Sequence, residues 1–410
     1  MVTEPMAVPE DSSPTTFSEG THRQRRRTWL VGSLRTGHRG VSTRCRGALV
    51  LASLLLIASA GACGTSSDDE SSTTRAPVAP IDPAELADPG PHGVGTTSLS
   101  FPNGDDEPLS VIAFYPAIAE GSSATRDAEP DPSAAPYPVV LGNTNMANVV
   151  GLHLASHGFV FLALSTQLVT EEVDGAIAFS GVLDGVAALD QHLLTGIADT
   201  DHAGVMGYSG ESLFALMLAG ARIDPDHSAA VCADPPEGWG SEFLGLACSE
   251  EWWETILERA DLAGITTSDG LWESQGDARI RASMPMGPRG FYLTGPDGLA
   301  SAVAPILLVV GGEDTERLME TSEILQAYPT GLAEAITFVG PWAGHHMIFN
   351  SDVQAEVRRL AVAFLTLHLK GTDQYSEVLT PEFIDRSSEA PDTHPTYEKM
   401  IWGVPEGSGY

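Results

Sequence analysis

Short apolar runs alternate with amphipathic stretches along most of this chain, and that alternation leaves few folds open. Ser110–Tyr115, Tyr137–Leu141, Phe159–Leu164, His202–Gly207 and Ala304–Val310 each read as a strand, several with no polar interruption. Between them, Val149–His157, Ile177–Leu194 and Glu211–Ala221 show helical spacing, the first stopping at Gly158. Strands that are apolar on both faces and separated by helices predict a mostly parallel sheet covered on both sides, an α/β fold. A further strand is expected over Asp277–Met286 and another over Ala335–Val339.

The 410 residues are 42% hydrophobic, enough for one large core. No internal repeat or second linker interrupts residues 89–410, so one domain is expected there. Fifty-five acids oppose 21 basic residues, and a net charge of −34 repels phosphate backbones, which excludes nucleic acid as a partner. The only lysines are Lys370 and Lys399.

The first 62 residues differ from the rest. They carry eight arginines and four acids, and the apolar run Ala48–Ala60 is too short to span a membrane in relaxed form but suits the core of an export signal. The run ends in Ala60-Gly61-Ala62-Cys63-Gly64, which resembles a bacterial lipoprotein processing site. Lipidation of Cys63 is expected, with ordinary cleavage near Ala62 as the alternative. Residues 63–88 are rich in Ser, Thr, Asp, Pro and Ala and read as a flexible tether. The chain is therefore expected in the bacterial cell envelope, touching the membrane only through its lipid. Export leaves Cys232 and Cys248 in an oxidising compartment, where a disulfide is expected.

The chemistry concentrates at Gly207-Tyr208-Ser209-Gly210, a strand-to-helix junction matching most of the G-x-S-x-G nucleophile elbow, in which a strained turn lifts the serine hydroxyl above the sheet. The Gly210 N–H would face a developing oxyanion at the positive end of the following helix. A nucleophilic serine needs a base and an acid to orient that base, in the chain order Ser, Asp or Glu, His. After the strand Ala304–Val310, the loop Gly311-Gly312-Glu313-Asp314 offers Asp314, with Glu313 second. After the next strand, Ala343-Gly344-His345-His346 offers His345, with His346 as the alternative base. Adjacent histidines seldom direct both rings at one ion, and no third ligand stands at a recognisable spacing, so neither a metal nor any cofactor is expected.

These segments resemble the exported dienelactone-hydrolase-like and platelet-activating-factor-acetylhydrolase-like serine esterases. The likeness covers most of residues 89–385: Gly90-Pro91-His92-Gly93-Val94-Gly95-Thr96 with Phe114-Tyr115-Pro116-Ala117, then His153–Val160, the elbow Val205–Ser209, Gly295–Leu299 through Asp314, Ala343-Gly344-His345, and Ala363-Phe364-Leu365 with Leu369-Lys370-Gly371. The resemblance implies the α/β-hydrolase fold, a Ser209-His345-Asp314 triad, and a small-molecule or lipid-like ester as substrate. It also implies a helical cap over residues 223–276, in which Trp252 and Trp253 are expected chiefly to close the cap's own small core. Two positions depart from the family: Glu211 stands where a small residue is usual, and Gly142-Asn143-Thr144-Asn145-Met146 replaces a His-Gly pair, leaving Asn145 or Thr144 to supply the second oxyanion N–H. Those departures keep two other readings open, a catalytically impaired surface binding protein and a polyester or lipid hydrolase.

Overall fold

The computed structural model describes residues 81–103, 106–118, 123–165, 172–234, 248–288, 290–311, 335–340, 345–349, 351–380, 382–383 and 401–403, all within one compact unit, Ser72–Tyr410. The leader, Cys63 and the loop holding Glu313 and Asp314 lie outside these residues.

Among the described residues the strands are β1 (Gly93–Asn103), β2 (Asp106–Ala117), β3 (Thr125–Arg126), β4 (Tyr137–Asn143), β5 (Val160–Leu164), β6 (Ala198–Tyr208), the small hairpin β7 (Thr267–Ser268) and β8 (Leu271–Trp272), then β9 (Ile280–Met286), β10 (Ile306–Gly311), β11 (Ala335–Gly340) and β12 (Ile401–Gly403). The helices are α1 (Thr144–Met146), α2 (Leu152–Ser156), α3 (Glu172–Ala187), α4 (Glu211–Leu218), α5 (Pro225–Ala233), α6 (Glu250–Leu262), α7 (Phe291–Leu299) and α8 (Ser351–Leu369). No helix among the described residues is long and apolar enough to cross a membrane.

Ten strands form one sheet in the order β12-β11-β10-β9-β6-β4-β5-β2-β1-β3. From β11 to β5 every neighbouring pair is parallel, while β2 runs antiparallel to β5 and β12 antiparallel to β11. The sheet is thus α/β and mostly parallel, as the alternation of apolar runs predicts.

Alternate side chains feed two cores. Val139 and Leu141 of β4 with Val160, Leu162 and Leu164 of β5 face a layer that includes Val182 and Leu183 of α3 and Leu213 of α4. Val140, Phe161 and Ala163 face the opposite layer, with Leu154 of α2 and Leu360, Phe364 and Leu365 of α8. Burial on both faces is why these strands read as unbroken apolar runs. At about 25 cal/mol per Å² of apolar surface removed from water, such layers dominate the folding free energy.

Helix α3 ends at Ala187, not near Leu194 as spacing predicts. Gln191 takes a left-handed backbone (φ 53°), and the turn that follows buries Leu194 and Ile197 without continuing the helix. The Cys232–Cys248 disulfide is formed, with 5.4 Å between Cα atoms. Trp252 and Trp253 of α6 are half-buried against the core, and Trp252 also meets the ring of Tyr292.

Candidate active site

In the open parallel sheet the chain runs from β4 to β5 on one side, then crosses to β6 on the other side of β4. The carboxyl ends of β4 and β6 therefore flank a topological switch point, where connecting loops part and leave a crevice. Ser209 directly follows β6, and Asn143 closes β4.

Ser209 has φ of 58°, the left-handed region that non-glycine residues seldom occupy. Such a backbone costs of order 1–3 kcal/mol and persists only where its surroundings over-determine it. Here they do. The Ser209 N–H donates to the Met286 carbonyl at the end of β9 (3.0 Å), and the Ser209 carbonyl accepts from the Ser212 N–H (3.1 Å) and the Ser212 hydroxyl. Gly207 is required by close approach, because a Cβ there would stand 2.2 Å from the Glu211 carbonyl oxygen. Around Gly210 the space is open, with nothing within 4 Å of an added Cβ. Glu211, the first residue of α4, is half-buried, and its carboxylate sits favourably at the positive end of the helix.

His345 opens a 3₁₀ turn, His345–Phe349, and its Nε2 lies 2.9 Å from Ser209 Oγ across 136 residues of chain. His345 is buried, 7% exposed, while Ser209 is half-buried and Gly210 exposed, so the contact is open on the serine side. Its Nε2 can accept the hydroxyl proton as the oxygen attacks an electrophile, which is the geometry a general base needs. Two aromatic residues that sequence reasoning passed over hold this ring. Tyr208 stacks on it (5.3 Å between centroids, 29° between planes) and donates its hydroxyl to the His345 carbonyl (2.9 Å). Phe349, in turn, sets its ring edge-on to Tyr208 at 5.7 Å.

Asn143 is also a residue that sequence reasoning did not assign. Its Oδ1 accepts from the Met146 N–H (2.8 Å), capping the short α1, while its buried Nδ2 has no hydrogen-bond partner among the described residues. Asn145 is exposed at the second position of α1, and α1 runs into a π-helical stretch, Ala147–Gly151, before α2. Such stretches recur at functional sites.

Of the residues expected from sequence, Ser209, Gly210 and His345 come together. His346 occupies the same 3₁₀ turn, but its side chain lies outside the described residues, as do Asp314 and Glu313. No cluster of three or more His, Cys, Asp or Glu that could hold a metal stands among the described residues. No protein-family model matches the chain, and no curated protein matches it in sequence.

Proposed function

We propose that this protein is a serine hydrolase of the α/β-hydrolase fold that cleaves carboxylic esters without a cofactor. The observation that carries the reading is the 2.9 Å contact from His345 Nε2 to the hydroxyl of a serine held left-handed at a strand-to-helix turn. A hydroxyl on such a turn stands clear of the sheet with a base beside it, which is what acyl transfer demands.

In this reading Ser209 Oγ attacks the ester carbonyl carbon while its proton passes to His345 Nε2. The negative charge that develops on the carbonyl oxygen is met by the Gly210 N–H and the N–H of Asn145. His345 returns the proton to the departing alcohol, leaving an acyl group on Ser209. Water then attacks that acyl carbon, His345 takes its proton, and the acid departs as the serine recovers its hydrogen. Asp314 is the residue proposed to orient the imidazole. The same reading has Cys63 carrying a lipid at the bacterial cell surface.

A second reading is favoured by Glu211, whose half-buried carboxylate shares the helix end that an oxyanion would use. In it the protein keeps the fold and binds ester-like ligands without turnover. One experiment separates the two. A fluorophosphonate probe should label wild-type protein at Ser209 and leave Ser209→Ala unlabelled, and the wild type should release nitrophenol from short-chain nitrophenyl esters. Absence of both labelling and release selects the binding protein.

A further inference from the structure

At the opposite rim of the sheet, where β9 and β10 begin, the structure contains a cavity of about 540 Å³. That lies within the range of small-molecule sites. Its walls include the apolar Leu218, Ile280, Val303 and Pro305, and two cations, Arg222 and Arg281.

Both arginines are placed there by specific backbone features. Where β6 pairs with β9, Ala203 lies opposite Ile280 and Gly204 opposite Ala282, so Arg281 is the extra residue of a bulge. Bulges between parallel strands are rare and re-aim a side chain. Arg281 is the one exposed residue of β9, and no carboxylate among the described residues pairs with it. Arg222 is fixed by neutral acceptors: Nε donates to the Trp272 carbonyl (2.6 Å), and Nη2 to the carbonyls of Ser268 (2.8 Å) and Leu271 (3.1 Å) and to Ser268 Oγ (3.0 Å). Its position is locked, and no carboxylate among the described residues pairs with its charge. Gly220, at φ 105°, and Gly276, whose added Cβ would lie 3.0 Å from the Gly220 Cα, let two backbone segments pass closely at the cavity wall.

Two opposing effects must be weighed. Helix α4 ends at Leu218, and its negative pole, worth about half a charge, disfavours an anion. Its last carbonyls are already engaged, however, that of Leu218 by the Asp277 N–H and that of Ala219 by the N–H groups of Val303 and Ala304. The carboxylate on the wall, Asp277, is held by Arg279 and Ser180, and the hydrogen bonds these give outweigh burial and bring its pKa down to about 2. Arg279 also meets Asp184 (2.8 Å), so this trio carries one net negative charge, which the two full positive charges of Arg222 and Arg281 outweigh.

We propose that this cavity binds an amphiphilic carboxylate, its head on the open guanidinium of Arg281 within the field of Arg222, its apolar body along Leu218, Ile280, Val303 and Pro305. One free guanidinium fork matches the two oxygens of a carboxylate. Inorganic phosphate can meet the same fork but brings no apolar body to Leu218, Ile280, Val303 and Pro305, so it forgoes the burial that a fatty carboxylate gains. The site stands apart from Ser209 and does not depend on the function proposed for it.

The test is calorimetric titration of octanoate, with inorganic phosphate as a second probe, into full-length Ser209→Ala protein, so that ester chemistry plays no part. Octanoate should saturate one site. Arg281→Ala, an exposed change that leaves the melting temperature in place, should weaken binding about tenfold or more, as loss of a charge-assisted pair does. Val303→Asp, which sets a negative charge on the wall, should abolish it, and phosphate should bind more weakly than octanoate. Equal octanoate affinity with and without Arg281, no saturable octanoate binding, or phosphate binding as tightly as octanoate would each overturn the proposal.

Discussion

Tyr208 grips His345 at two points, through ring stacking at 5.3 Å and through its hydroxyl, which donates to the His345 carbonyl at 2.9 Å. The residue beside the serine thereby fixes the imidazole that the serine faces. Tyr208→Phe keeps the stack and loses a hydrogen bond worth about 0.5–1.5 kcal/mol, so turnover of a nitrophenyl ester should fall about three- to tenfold with KM little changed. Tyr208→Ala loses both contacts and should fall further. A fall in KM-dependent binding with turnover intact would remove Tyr208 from this positioning role.

The left-handed backbone of Ser209 predicts a trade between stability and reactivity. Ser209→Gly relieves the strain, and urea unfolding should show a gain of up to about 1 kcal/mol while fluorophosphonate labelling disappears. Gly207→Ala drives a methyl into the Glu211 carbonyl and should instead cost about 1–3 kcal/mol.

His153 and His157 predict acid sensitivity. Burial, with lesser effects from nearby cationic groups, brings their pKa values down to about 3 and about 4. Their Nε2 atoms pair with the carbonyls of Leu86 and Asp88, and their rings stand 4.5 Å apart, tying the segment before β1 to α2. Both values lie below the ordinary 6.5, so the unfolded chain takes up these protons first as pH falls. The denaturation midpoint should drop as pH goes from about 6.5 towards 4 and should recover on return to neutrality. Lys370, which donates to the His157 carbonyl and is brought to about 8 by burial, has the same sign in an alkaline window. Between pH 8 and about 10 the unfolded chain binds more protons, so stability rises with pH there, and Lys370→Met should flatten that part of the profile.

The Cys232–Cys248 bond closes a loop with a sequence separation of 16. Chain entropy makes such a closure worth about 3 kcal/mol. Cys232→Ser should lower unfolding free energy by about that amount, measured in urea with the wild type under non-reducing conditions as reference.

Much of this architecture is legible in the sequence because the central strands are buried on both faces, which leaves wholly apolar runs at β4, β5 and β10. The elbow is legible because Gly207 and Ser209 answer local demands, a close approach and a tight turn. The end of α3 is not, because Leu194 and Ile197 keep apolar spacing while a left-handed Gln191 turns the chain. Spacing predicts a helix from Val149, yet helical structure begins at Thr144, where the Asn143 side chain caps it. Tyr208 and Phe349 left no signal, since their contacts join segments more than 130 residues apart and depend on how the sheet folds back. The bulge at Arg281 was equally hidden, because register belongs to the pairing of two strands and to neither alone.

Strand β9 lies between two parallel neighbours and delivers its final carbonyl, that of Met286, to the amide of Ser209. An interior strand of a packed sheet is among the last parts of a protein to open. The strained serine is therefore clamped by the least yielding part of the architecture, so substitutions elsewhere around the site can alter what reaches the hydroxyl without relaxing the hydroxyl's own pose.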